Sequence, residues 1–144
     1  MNSTFKFLLL PVIFIFIFFT NANAQFNLAV GATILTEETN FGINVKGRYQ
    51  TSESISVMAT ATYFLRTNTG FAMDFDGHYD NLILGNVEIS PLVGFNIRKN
   101  IDYGVSMNLG IYFIVPTKDY TLYFEPKFII DKNTFFAISA GFYF

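Results

Sequence analysis

The sequence predicts an all-β chain, an eight-stranded antiparallel up-and-down transmembrane β-barrel behind an N-terminal leader. Three observations carry this reading. Seven consecutive segments alternate apolar with small or polar residues at a period of two. The apolar face they share is too bulky to sit inside a small barrel. Residues 1–24 have the layout of a cleaved export signal.

The leader comes first. Lys6 and the amino terminus form a short basic start, and Phe7 to Phe19 is an apolar run of 13 residues. Thr20 and Asn21 break it, and Ala22-Asn23-Ala24 is the small-x-small pattern of a signal-peptidase site. The rival reading, a membrane-anchoring helix, needs ~18 or more apolar residues. No Cys follows the cleavage point, which excludes a lipid-anchored product. The expected mature chain is residues 25–144, with all 11 Asp and Glu and eight of the nine Lys and Arg.

The strands follow in order. In residues 26–34 Phe26, Leu28, Val30, Ala32 and Ile34 face Asn27, Ala29, Gly31 and Thr33. Residues 41–49 set Phe41, Ile43, Val45 and Tyr49 against Gly42, Asn44, Lys46 and Arg48. Residues 55–66 alternate Ile55, Val57, Ala59, Ala61, Tyr63 and Leu65 with Ser56, Met58, Thr60, Thr62, Phe64 and Arg66. Residues 87–98 set Val87, Ile89, Val93, Phe95 and Ile97 against Glu88, Ser90, Leu92, Asn96 and Arg98. In residues 103–115 Tyr103, Val105, Met107, Leu109, Ile111 and Phe113 oppose Ser106, Asn108, Gly110, Tyr112 and Ile114. Residues 122–130 and 135–144 close the series, with Leu122, Phe124, Phe128, Phe136, Ile138, Phe142 and Phe144 on the apolar face. Short polar turns separate the segments, at residues 36–40, 50–54, 99–102, 116–121 and 131–134.

The interval 67–86 is less regular. It holds three glycines, three aspartates and the single His. A weaker strand over 70–75, or in a longer form to Tyr79, is expected there, with Leu82-Ile83-Leu84 as an extension of the next strand in the alternative. Parity favours the extra strand, because a closed barrel with both ends on one side needs an even number.

Volume and charge decide which face looks out. The interior of an eight-stranded barrel is just wide enough for side chains to fill, and roughly forty bulky apolar groups would overcrowd it. The other face is mostly Gly, Ala, Ser, Thr and Asn with a few charges, and it fits. A water-facing perimeter would be dense in Lys and Glu, yet only 14 % of this chain is charged. The apolar face is therefore assigned to lipid. Phe41, Tyr49, Tyr63, Tyr103, Phe113, Phe124, Phe142 and Phe144 lie near strand ends on that face, where interfacial girdles belong.

Composition excludes other classes. The length fits one domain, and the apolar content excludes disorder. A formal net charge of -2 leaves no electrostatic footprint for nucleic acid. With no Cys and one His, thiolate sites, disulfides and multi-His metal centres are removed. No cofactor and no metal site is expected.

Leader, alternating strands and the terminal run Phe135 to Phe144 together resemble small bacterial outer-membrane β-barrels of the OmpX/OmpA type. Phe142 and Phe144 match the aromatic positions of that family's C-terminal assembly signal; Ser139 stands where Gly is usual and Ala137 where a polar residue is usual. The run Glu88 to Phe95 resembles a strand common in barrel proteins of Bacteroidota. The resemblance implies a monomer in the Gram-negative outer membrane. Its partners would be membrane lipid, lipopolysaccharide, and the barrel-assembly machinery acting on the last strand. It implies periplasmic termini, with residues 36–40, 66–70, 98–102 and 131–134 pointing away from the cell and 50–54, 80–86 and 116–121 pointing inward.

Two sets of residues are candidates for chemistry. Lys46, Arg48, Glu88, Arg98, Glu125 and Lys127 fall on the lumen face, where opposite charges must pair; they read as a structural plug of ion pairs, or in the alternative as a gate or narrow ion path. Asp74, Asp76, His78 and Asp80 alternate through one short run and read as a solvated loop or strand end. The rivals are a divalent-ion site and a catalytic Asp–His pair, with Ser90 or Ser106 brought near only by folding. The expected function is a non-enzymatic structural or surface-interaction role in the envelope, with a narrow channel for ions or small solutes as the alternative.

Overall fold

The computed structural model describes residues 26–36, 39–65, 70–99 and 103–144. The expected leader lies outside the described residues. Among the described residues nine strands run in order: β1 Phe26–Leu35, β2 Asn40–Ser52, β3 Ile55–Phe64, β4 Phe71–Tyr79, β5 Leu82–Leu84, β6 Val87–Lys99, β7 Tyr103–Pro116, β8 Thr121–Ile130 and β9 Phe135–Tyr143. Every pairing is antiparallel.

The sheet closes on itself. β9 returns to β1 from Ala29 opposite Tyr143 to Leu35 opposite Ala137, and β4 pairs directly with β6 across eight rungs from Phe71–Lys99 to His78–Leu92. Eight strands form the wall, and β5 stands outside the count because it pairs only with the start of β6. Closure removes the open edges that would otherwise need a partner.

The eighth strand is the longer form of the weak segment, Phe71–Tyr79. Residues 82–84 do not merge into β6; they form their own short strand beside it. The two-residue link Gly85-Asn86 explains why. Gly85 has φ of 67°, the positive value that the first central position of a tight hairpin turn requires and that glycine adopts without steric cost.

The side-chain pattern is inverted relative to a soluble domain. Along β2, Phe41, Ile43 and Val45 are 51 %, 58 % and 48 % exposed, while the alternating Asn44 and Lys46 are fully buried. The same alternation holds round the wall: Tyr63, Val93, Val105, Leu109 and Phe128 are exposed, and Thr60, Asp74, Asn96, Asn108 and Glu125 are buried. A belt of apolar side chains this large on the perimeter has no stable contact with water, and it fits hydrocarbon. Charge and amide groups fill the middle.

The lumen is not uniformly small. Tyr112 and Tyr123 are among its largest fully buried side chains. Their room is cut out of neighbouring strands. Gly31 and Gly141 face each other across β1 and β9, and a Cβ on Gly31 would stand 2.2 Å from the Tyr123 hydroxyl oxygen. A Cβ on Gly141 would stand 2.7 Å from Tyr123 Cε1.

Candidate functional site

All six charged residues that the alternation assigns to the lumen lie on the inner face of the wall. They do not form a single network. The inward side chains stack in layers along the barrel axis, and the layers differ in chemistry.

The central layer is ionic. The wall register puts Lys46, Thr60, Asp74 and Asn96 side by side on β2, β3, β4 and β6. Lys46 Nζ pairs with Glu125 Oε2 at 2.8 Å across the lumen and donates to Thr60 Oγ1 at 3.4 Å. Lys127 Nζ stands 3.1 Å from Glu125 Oε1, 3.2 Å from Asp74 Oδ2 and 3.5 Å from Asp76 Oδ2. Two ammonium groups thus serve three carboxylates. Amides complete the cage: Asn96 Nδ2 donates to Asp74 Oδ1 at 2.8 Å, and Asn108 Nδ2 donates to Asp74 Oδ1 at 2.8 Å and Asp76 Oδ1 at 2.7 Å. Next to it, Tyr123 donates to Asn44 Oδ1 at 2.6 Å, Asn44 Nδ2 to Thr33 Oγ1 at 2.8 Å, and Thr33 shares a hydrogen bond with Ser139 at 2.8 Å.

A cluster of buried apolar side chains lies on each side of this centre, interleaved with polar ones such as Ser56, His78, Thr62 and Arg98. Toward the end that carries the termini lie Met58, Leu92, Tyr112, Ile114 and Tyr123, with Tyr143 packed against them. The rings of Tyr112 and Tyr123 stack at 5.5 Å, and Lys46 Nζ lies 5.2 Å from the centroid of Tyr123. Toward the opposite end lie Leu35, Phe64, Ala72, Ile129 and Ala137, with Phe135 against them.

Arg48 and Glu88 belong to a separate group at the terminal mouth. Arg48 Nη2 pairs with Glu88 Oε1 at 2.6 Å and Asp80 Oδ1 at 2.9 Å, while its Nε donates to Ser56 Oγ at 3.0 Å. Arg98 sits at the other end. Its guanidinium lies 4.5 Å from the centroid of the Phe135 ring, an attraction of cation to ring face, and no carboxylate stands against it among the described residues.

The run from Asp74 to Asp80 corrects the reading of a solvated loop or strand end. Asp74, Asp76 and His78 are inward residues of β4, each buried. Asp74 and Asp76 lie on the inner face of β4 with their counter-charge, Lys127, supplied by β8, and Asp80, just past the end of β4, takes its own from Arg48 on β2. His78 hydrogen-bonds to none of them: both ring nitrogens lack a partner among the described residues, and the ring meets Tyr112 edge-on at 5.1 Å. Ser56 faces His78 directly across β3 and β4, but its hydroxyl accepts from Arg48. Asp80 is engaged by Arg48 and by Gln50 Nε2 at 3.2 Å. Among the described residues no three His, Asp or Glu side chains come together to hold a metal ion.

Phe142 lies on the outer face of β9 and Phe144 just beyond it, both exposed. The Phe144 amide donates to Leu28 O at 3.1 Å, so the last residue is still tied to β1.

No family model matches the chain, and no curated protein matches it. Solved structures do. The N-terminal β-barrel domain of OprF from Pseudomonas aeruginosa superposes with a TM-score of 0.64 at 10 % identity, over 83 % of this chain and 97 % of that one. A de novo designed transmembrane β-barrel superposes with a TM-score of 0.59 at 11 % identity, covering 86 % and 98 % of the two chains. A second designed barrel, solved by solution NMR, gives 0.57 at 16 % identity over 86 % and 95 %. The likeness is one of fold: a closed eight-stranded antiparallel barrel of the transmembrane type.

Proposed function

We propose that this chain is a monomeric outer-membrane β-barrel with a non-enzymatic structural or surface-interaction role, and that its lumen is shut. The observation that carries the reading is the filled and paired centre of the lumen. Lys46, Lys127, Glu125, Asp74 and Asp76 are buried and joined to one another, and a cluster of buried apolar side chains lies on each side of them. An ion crossing this lumen would have to displace packed side chains and strand buried charges by breaking their pairs, which is costly. The centre therefore acts as a polar core that fixes the relation of β2, β4 and β8.

Membrane lipid covers the outer belt in this reading, and lipopolysaccharide borders the loops at the end away from the termini. Phe142 and Phe144 serve as the mark that the barrel-assembly machinery reads on the last strand. An export signal in residues 1–24 delivers the chain. His78 has no hydroxyl or carboxylate within hydrogen-bond reach, which argues against an acid–base role.

Planar-bilayer recording tests the closed lumen. Purified folded protein is expected to give no steady openings at neutral pH. Regular unitary currents that disappear in Arg48→Ala would establish the competing reading of a narrow channel.

A further inference from the structure

The hairpin that carries β5 is not needed to close the barrel, and two of its side chains, Ile83 and Leu84, are among the most exposed large apolar groups of the described residues. Leu82, Ile83 and Leu84 are 47 %, 75 % and 72 % exposed. Two other turns lie at the same end. One contains Glu53 and the other contains Lys118 and Asp119, whereas no ionisable residue occurs from Asn81 to Val87. Charge holds the first two in water; the third has only the neutral amides of Asn81 and Asn86.

The outward face of the arm continues the apolar belt. Leu82 stands opposite Ile89, Ile89 opposite Phe113, and Phe113 opposite Phe124, an unbroken apolar row over four strands. The backbone sets a limit on depth. β5 has β6 on one edge and no strand on the other among the described residues. A free strand edge is not tolerated within hydrocarbon, where its amide and carbonyl groups lack partners. Apolar side chains that want acyl chains, on a backbone edge that wants water, meet both demands at the boundary between headgroups and acyl chains.

From this we infer that the Leu82–Leu84 arm is a lipid-binding foot. It lies in the headgroup–acyl boundary of the leaflet nearer the termini and anchors the β5–β6 side of the barrel to that leaflet. The inference rests on the reading of the chain as a membrane barrel, and names an element outside the wall as part of its lipid contact.

The chain contains no Trp, so single Trp substitutions report without background. Leu84→Trp, Leu82→Trp, Val93→Trp and Lys118→Trp are each folded into phosphatidylcholine vesicles with or without brominated acyl chains, and folding is checked by heat-modifiable gel migration. Val93→Trp, in the middle of the belt, measures the membrane reading by itself and should lose most of its emission to bromine. Lys118→Trp should emit at long wavelength and be quenched by aqueous iodide instead. Leu84→Trp is expected to be blue-shifted and quenched by bromine placed near the headgroup end of the acyl chain; Leu82→Trp takes its place should Leu84→Trp fail to fold. If the arm reporters behave like Lys118→Trp while Val93→Trp is quenched by bromine, the arm is in water and the inference falls. If neither quencher reaches them, protein covers the arm and the inference also falls. Loss of bromine quenching at Val93→Trp would instead overturn the membrane reading.

Discussion

Lys127→Met removes the cation shared by three carboxylates and keeps an unbranched side chain of similar length. In the native lumen Lys127 Nζ lies between 3.1 and 3.5 Å from oxygens of Glu125, Asp74 and Asp76. After the substitution Glu125 retains Lys46, and Asp74 and Asp76 retain only the amides of Asn96 and Asn108. Stranding one buried charge by removing its partner costs about 3–5 kcal/mol. Here two carboxylates lose their counter-ion together, so the loss is expected at the upper end of that range. At about 1.4 kcal/mol per tenfold, this is several thousandfold in the folding equilibrium. The assay is urea-dependent folding into lipid vesicles, read as the fraction with heat-modifiable migration. A second change supplies the mechanism. Asp76→Asn should destabilise the native protein and recover part of the loss in the Lys127→Met background, a coupling of about 0.5–3 kcal/mol. The reasoning is refuted if Lys127→Met folds within about 0.5 kcal/mol of the native protein, or if Asp76→Asn has the same effect in both backgrounds.

Other substitutions probe the wall. Val93 and Leu109 face each other on β6 and β7 and are about half exposed; an Arg at either should cost about 2–4 kcal/mol of membrane folding stability by the same urea titration. Thr60→Ser on the lumen side keeps the hydroxyl that accepts from Lys46 and should change stability by no more than about 0.5 kcal/mol. In Gly141→Ala the added methyl would sit 2.0 Å from Val30 O, and an overpacking cost of about 1–3 kcal/mol is expected; a neutral result would mean that the β1–β9 seam relaxes freely.

The strands with the plainest alternation could be read from local sequence because each carries its own face. In β2, Ile43 and Val45 announce the outside and Asn44 and Lys46 the inside without help from any other strand. β4 could not be read so simply. Asp74, Asp76 and His78 look like loop residues until Lys127, more than fifty positions later, supplies the compensating charge. Parity puts Tyr112 and Tyr123 on the inner face, where both are buried, but the room for such large side chains is not local information: the space that admits Tyr123 is made by Gly31 and Gly141 on two other strands. The ion pairs themselves depend on the stagger between strands, which no single segment encodes. Parity puts Arg98 in the lumen but does not show that its partner there is a ring, Phe135.

A single nitroxide scan tests the inverted packing most directly. The chain has no Cys, so one spin label at a time can be placed at Val93, Leu109, Thr60 and Asn108 in vesicle-embedded protein. Labels at Val93 and Leu109 should collide freely with oxygen dissolved in the bilayer, and labels at Thr60 and Asn108 should be immobilised and shielded from both oxygen and a water-soluble nickel complex. Free oxygen collisions at Thr60 and Asn108 with immobilised labels at Val93 and Leu109 would show that the apolar side chains fill the barrel and the polar ones surround it.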